Sequence, residues 1–549
     1  MEQRSRLEYA LLAVPILLLT AVILVPVTVV VLDGLLFRMD TSFVEVITST
    51  VNRFTIAFTF VQAAASTVLS VLIGLPGAFF LARLRFRGKR VVRALLIVPF
   101  VLPPIVVVVG FIQMFGQSGI LDSTLMFLLG SETSVINLAT GVPAIILAHA
   151  FYNTPLVILL VSAGLERLNP DTEEAADLLG ATSWQKLRRL VVPQVWPSLL
   201  AAMILTFLFC FMSFPIVLAF GEGTYRTIEV QIWNAYRWAD YGEASSLALI
   251  QIGVTVTLAI GYVMAGRRAN ESESGPTTSM KMVGLGEYRF REMLPIILYF
   301  IGLLVLVAGP IIAIVRAAFF DPITQTYTFN GIAYVFDGSP SGGFLPLMNS
   351  LYYAGLATLL AVVLGIPLAY AIKSKSPGIS SLASMTMLLP LGVSSLTIAY
   401  GLMYVIAVPL GLNANPWAII VLAQTVIGLP FSARAIEISL RSIDDDLIDQ
   451  ADALGASRFQ RLFFVELPLL APGILVGGIF AFAMAIGEMS ATILIARPQN
   501  YTLAIAIYQE LGVRHFVEAG AAALVLVAVC VTAFALMERI SEGSTGGAL

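Results

Sequence analysis

Twelve apolar runs of roughly 20 residues, each long enough to cross a ~30 Å hydrocarbon core as a helix, constrain this chain more than any other feature. In the first half they lie near Leu11–Leu32, Phe54–Ala82, Val91–Phe115, Gly141–Ser162, Trp196–Phe220 and Ala244–Val263. In the second they lie near Leu294–Phe319, Asn349–Ile372, Leu382–Ala407, Pro416–Phe431, Gly473–Ala496 and Gly520–Leu536. A bilayer core offers no water to backbone N–H and C=O groups, so such spans must close their hydrogen bonds internally, as helices do. The expected class is an all-α integral membrane protein. Composition agrees: 58% of residues are hydrophobic and 12% charged, against about a quarter charged in soluble domains.

The chain repeats itself. Glu174-Ala175-Ala176, Gly180 and Leu190-Val191-Val192-Pro193 recur as Asp449-Gln450-Ala451, Gly455 and Val465-Glu466-Leu467-Pro468. Gly180 to Gly455 and Pro193 to Pro468 span the same 275 positions (455 − 180 and 468 − 193). Six spans therefore precede and six follow a duplication. We place the first half at 1–264 with its loop at about 169–193, a polar linker at 265–291, and the second half at 292–549 with its loop at about 443–468. Upstream the offset becomes 291, since Pro76 pairs with Pro367 (367 − 76). An insertion of roughly 16 residues is thus expected in the first half, in the loop around Ser118–Thr140.

Lys and Arg crowd alternate loops, notably Arg83–Arg93, Lys186–Arg189, Arg267–Arg291 and Lys373–Lys375. The positive-inside rule puts those loops, both repeat motifs and both termini in the cytoplasm. Leu11–Leu32 reads as a retained helix rather than a cleaved signal. Cys210 and Cys530 lie inside apolar spans, so no disulfide framework is implied.

Each repeat motif reads as a short helix, a turn and a second helix. Asn169 is a suitable N-cap, Pro170 a suitable first residue, and Asp171, Glu173 and Glu174 favour the positive end of the dipole; Ser442 or Asp444 opens the second copy. Gly180 and Gly455 then sit where a helix ends in a left-handed residue. A basic amphipathic helix restarts after each, around Trp184–Val191 and Phe459–Phe463, and Pro193 and Pro468 are expected to end it before the next span.

This Glu-Ala-Ala, Gly, Leu-Pro spacing resembles the cytoplasmic loop of permease subunits of type I ABC importers, over nearly the whole chain. The resemblance implies the MetI-like permease fold, two six-helix repeats around a central path. In that family the helix before the Gly is the coupling helix, which implies an ATPase-coupling role for Glu174, Ala175, Ala176 and Gly180 and for Asp449, Gln450, Ala451 and Gly455. It also implies two copies of a partner ATPase that uses ATP and Mg, an extracytoplasmic substrate-binding protein, and the plasma membrane as location. The sequence contains no P-loop spacing, so the chain is expected to be a transport subunit, not an enzyme, with no cofactor or metal and no nucleic-acid partner. Asp449-Gln450 departs from Glu-Ala but keeps the acid.

Leu147–Pro155, Phe209–Phe214, Gly221-Glu222-Gly223 and Thr227–Ile232 look like thiamine permeases, whereas Gly487-Glu488-Met489-Ser490-Ala491-Thr492 is closer to ferric-iron permeases. Thiamine is the expected substrate, with ferric iron the alternative. Candidate path residues are His149, Asn153, Ser213, Glu488 and Ser490. His149 also reads as a hydrogen-bonded packing residue, and Glu488 as a buried partner of Arg497 or a cavity-facing acid. Trp233, Tyr236 and Trp238 read as loop aromatics, anchoring at the interface or stacking on a cationic ring. Pro99, Pro103, Pro104 and Pro215 are expected to kink or break their spans. The rival class is an ion-coupled secondary transporter, which would show charges or broken helices at matching points of both halves.

Overall fold

A computed structural model describes residues 17, 20–32, 43–271, 283–284, 290–321, 324–374 and 376–544. Through the first half run α1 (Thr20–Leu32), α2 (Phe43–Thr48), α3 (Thr50–Arg83), α4 (Lys89–Val101), α5 (Pro104–Phe115), α6 (Ile120–Leu129), α7 (Gly141–Glu166), α8 (Pro170–Leu178), α9 (Ser183–Lys186), α10 (Val192–Phe211), α11 (Pro215–Phe220), α12 (Ile228–Arg237) and α13 (Tyr241–Glu271). The second half supplies α14 (Phe290–Ala317), α15 (Asn330–Val335), α16 (Phe344–Lys373), α17 (Pro377–Gly392), α18 (Ser395–Leu402), α19 (Trp417–Arg441), α20 (Asp445–Ala453), α21 (Arg458–Arg461), α22 (Leu467–Ile486), α23 (Ser490–Ile495), α24 (Leu503–Gly512) and α25 (Phe516–Ser544). The protein is an all-helical membrane protein built as two repeats. Strand structure among the described residues is confined to two-residue pairs, such as Leu84–Arg85 alongside Val283–Gly284.

Ten helices among the described residues are long and apolar enough to span a membrane, and Thr20–Leu32 and Ser395–Ala407 are shorter apolar ones. The two that fall short of twelve are the first span, of which residues 11–16 and 18–19 lie outside the described residues, and the third of the second half. The third span of each half is broken, at Leu102-Pro103 between α4 and α5 and at Val393-Ser394 between α17 and α18. The fifth is broken as well, at Met212–Phe214 before α11 and at Gly487–Met489 before α23. The breaks fall at the repeat offsets, and Pro103-Pro104 and Pro215 mark the first-half ones, as expected of residues that lack an N–H. Matching broken helices are therefore present, and they do not separate this chain from a secondary transporter.

The described residues form two compact units, one from Val44–Gln231 with Ile250–Thr326, the other from Met1–Phe43, Ile232–Leu249 and Tyr327–Leu549. The units are not the sequence halves. In the first, α14 packs on α5, where a Cβ on Gly110 would meet Pro310 O at 2.4 Å. In the second, α1 occupies the equivalent place, and a Cβ on Gly401 would lie 2.7 Å from Pro26 Cβ. Gly110 and Gly401 are repeat partners (401 − 110 = 291), so one glycine per unit admits a backbone from the other half of the sequence.

Each unit is centred on three packed helices. Ala78, Ala82, Val157, Val161, Val195 and Ala202 join α3, α7 and α10; Ala369, Ile436, Leu440 and Leu470 join α16, α19 and α22. At one crossing a small pair is kept while its order is exchanged: Gly164 abuts Ser198, and Ser439 abuts Gly473. The expected insertion is α6, absent from the second repeat. Asp122 fastens it by accepting hydrogen bonds from Ser118, Val135 and Ile136 N–H at 2.8–2.9 Å.

Candidate coupling loops and translocation-path residues

Both repeat loops fold by the same local chemistry. Asn169 Oδ1 accepts from Asp171 N–H at 2.9 Å and Pro170 opens α8; Asp444 Oδ1 accepts from Asp446 N–H at 3.1 Å and opens α20, which decides between Ser442 and Asp444. Gly180 has φ +75° and Gly455 φ +84°, and a Cβ on either would meet nothing within 4 Å. The turn carries bonds from Leu179, Gly180 and Ala181 N–H to Ala175, Asp177 and Ala176 C=O, repeated by Leu454, Gly455 and Ala456 to Gln450, Asp452 and Ala451. These satisfy the orphan carbonyls of the helix end. Reciprocal caps then start the next helix, Thr182 with Gln185 and Ser457 with Gln460.

Pro193 and Pro468 do not end that helix. A π-helical turn at Leu187–Val191 and at Leu462–Glu466 leads directly into α10 and α22, so each proline sits in the first turn of a continuing helix. The wider i→i+5 turn closes on Val192 N–H and Leu467 N–H, immediately before the proline that has none to give.

Glu174, Ala175, Asp449 and Gln450 are exposed, Ala176 and Ala451 half-buried. Leu178, Leu179 and Leu454 are each at least 88% exposed, and Trp184 and its repeat partner Phe459 (459 − 184 = 275) at least 67%. Bare apolar side chains at matching positions on two helix-turn-helix loops form a surface that requires a cover. Glu174 is the acid of the motif, but the acids of α8 that are held are its neighbours, Glu173 by Arg83 at the end of α3 and Asp177 by Lys186.

The path candidates are all at least half-buried, on α7 in the first repeat and at the fifth-span break of both. His149 and Asn153 lie on α7: Nδ1 of His149 is 3.1 Å from Ser66 Oγ, and Asn153 Nδ2 donates to His149 C=O at 2.8 Å and to Cys210 Sγ at 3.4 Å. Gln62 Nε2 donates to Cys210 C=O at 2.9 Å, and Ile228 N–H to Thr59 Oγ1 at 3.0 Å. Thr59, Gln62, Ser66 and Ser70 thus form a polar stripe on α3. Their spacing of three and four was the available signal. Cys210 and Cys530 are buried and free.

Ser213 and Glu488 occupy the two fifth-span breaks. Ser213 C=O accepts from Thr227 Oγ1 at 3.2 Å. Glu488 accepts from Ala491 N–H at 2.7 Å and from Thr492 N–H and Oγ1 at 2.9 and 2.7 Å, so its carboxylate caps α23. The alternative pairing with Arg497 does not form; Arg497 Nε donates instead to Asn413 C=O. The repeat partner of Glu488 is Ser213 (488 − 275), and α11, which begins at Pro215, has no side-chain cap. Ser490 itself is half-buried.

Trp233, Tyr236 and Trp238 are not all loop residues. Trp233 and Tyr236 lie on α12: Trp233 is buried under the Arg237 guanidinium, 4.6 Å from its ring, and Tyr236 packs edge-on against Tyr241 and Tyr400. Only Trp238 is exposed. Among the described residues, no His, Cys, Asp and Glu cluster has metal-binding geometry.

Residues 70–268 and 361–545 match the family described as the binding-protein-dependent transport system inner membrane component. The chain is 26% identical over 491 residues to the thiamine transport system permease protein ThiP of Escherichia coli (strain K12), covering 88% of both chains. It is 26% identical to the ThiP of Brucella abortus (strain 2308), over 88% of this chain and 86% of that one. The putative ferric transport system permease protein FbpB 1 of Haemophilus influenzae is 27% identical, over 78% of this chain and 67% of that one.

Proposed function

Because the chain belongs to the binding-protein-dependent transport system inner membrane component family, and is thus an ABC importer permease, we propose that its two halves form a thiamine pathway driven through the two repeat loops. The observation that carries the substrate reading is extent: likeness to thiamine permeases runs through 88% of both chains, while the ferric permease is matched over 67% of its own length. Glu488 gave the sequence its lean toward iron, and its carboxylate is engaged in capping α23. Ferric iron is the second reading.

In this reading two copies of an ATPase seat on α8 and α20. The exposed Leu178, Leu179 and Leu454 fill apolar pockets there, and the free acids Glu174 and Asp449 set charge register at the contact. ATP and Mg act on the ATPase alone. Closing the ATPase pair moves both coupling helices and switches the permease between two states. A binding protein delivers cargo from the outer side, where α6 and α15 lie, and both termini and both repeat loops face the cytoplasm.

The test is ATP-dependent uptake of labelled thiamine, with labelled ferric iron in parallel, into vesicles holding this chain, its ATPase and its binding protein. Thiamine accumulation supports the reading. Iron accumulation without thiamine replaces it with the second, and uptake that persists without the ATPase refutes the ATP-driven mechanism.

A further inference from the structure

The two coupling loops are tied to their membrane helices by different side chains. In the first half Arg83, the last residue of α3, pairs with Glu173 in the first turn of α8, and Lys186 Nζ meets Asp177 Oδ1 at 2.6 Å across the Gly180 turn. In the second half Arg461 stands in the place of Lys186 (461 − 186 = 275). It holds Asp452 of α20 at 2.7 Å and, through Nε, Glu466 at 2.8 Å. The other Glu466 oxygen accepts from the Tyr370 hydroxyl on α16.

Two positions of this relay are apolar in the first repeat, where Val191 stands for Glu466 (466 − 191 = 275) and Phe79 for Tyr370 (370 − 79 = 291), while the Asp452–Arg461 pair has its counterpart in Asp177–Lys186 (452 − 177 = 275). Arg83 and Glu173 in turn correspond to Ser374 and Ile448, which cannot form an ion pair. The Tyr370–Glu466 link and the Arg83–Glu173 pair therefore each belong to one repeat alone. Glu466 is 4% exposed, and a carboxylate buried that far is costly to keep unless its oxygens are bound.

A glycine turn with open space around it is a soft joint, and motion of α20 would be absorbed there by rotation about Gly455. The relay bypasses the joint, since Asp452 precedes Gly455 while Arg461, Glu466 and Tyr370 lie on the membrane side. We infer that Tyr370, Glu466 and Arg461 are positioning residues that carry movement of the second coupling helix into its membrane unit, the task that Arg83 and Glu173 perform for the first. This rests on the coupling reading above and adds which side chains carry the motion on each side.

The test uses the complete complex in proteoliposomes and reads the stimulation of ATP hydrolysis by the cognate binding protein, which does not depend on the cargo's identity. Y370F removes one oxygen, and the double variant Y370F/E466V installs the apolar pair of the first repeat. Both are expected to co-purify with the ATPase as wild type does while stimulation falls about five- to tenfold. R83E and E173R are each expected to lose stimulation and, combined, to regain it. Full stimulation in Y370F and Y370F/E466V with the complex intact overturns the relay, and failure of the charge exchange to restore stimulation overturns the role given to Arg83 and Glu173. Failure of the wild-type chain to bind an ATPase overturns the coupling reading itself.

Discussion

Replacing Gly455 isolates the conformational demand of the proposed coupling turn, because the site has no steric demand. Its φ is +84°, and a Cβ would meet nothing within 4 Å. Any cost of substitution is therefore backbone cost. An L-residue held in the left-handed region costs roughly 1–2 kcal/mol, asparagine less, and a β-branched residue more. If the ATPase binds only the native turn, its apparent affinity falls by the fraction of molecules that keep it. At 1.4 kcal/mol per tenfold, G455A should weaken ATPase binding about five- to thirtyfold, with G455N close to wild type and G455V worst. Titrating the purified ATPase onto the detergent-solubilised chain measures this directly. Equal affinities across the series, or G455N as damaging as G455V, would refute the argument, and G180A, at φ +75° with equally open space, should behave as G455A does.

Other expectations follow from the packing and the caps. E488Q keeps the volume but turns one acceptor into a donor facing the N–H groups of α23, which should cost about 1.5–3 kcal/mol; a cycle with T492V should show non-additivity in thermal unfolding, and strict additivity would detach Glu488 from the cap. G401L forces a side chain into the Pro26 backbone and should destabilise by about 1–3 kcal/mol or more, as should G110L against Pro310 O, both read as lower unfolding midpoints. Asp337, in the segment before α16, is held below the ordinary aspartate range by Ser339, whose hydroxyl and N–H both donate to it. Its stabilisation is therefore complete above the ordinary range and lost as pH falls through the depressed value; proteolysis of that segment should rise in this acid window in wild type and already be high at neutral pH in D337A.

Some of the molecule was legible because it is written in short-range terms. Helix periods, N-caps, positive-φ glycines and a repeated motif act within a few residues of chain, so Asn169, Asp444, Gly180 and Gly455 behave as their sequence context required. The broken third and fifth spans were half-legible: the prolines at 103, 104 and 215 announced them, while Val393-Ser394 and Gly487–Met489 break without one, and there the capping groups Ser394 and Glu488 are the signal. The continuation of α10 and α22 through Pro193 and Pro468 was misread, since a π turn lets a proline follow a helix without leaving it.

An all-helical membrane protein, its duplication, the shape of both repeat loops and the family of the chain are legible along the chain, because bilayer length, hydrogen-bond closure and local turn chemistry need no partner from afar. Long-range packing alone settles that α14 packs on α5 and α1 beside Gly401, that Glu488 is spent on a helix cap, that Trp233 and Tyr236 are packed rather than free, and that Glu466 joins Arg461 to Tyr370. Each of these is a contact between residues far apart in the chain. Which small residue admits which backbone, and which buried acid finds which donor, depends on close packing, and no periodicity along a single chain encodes it.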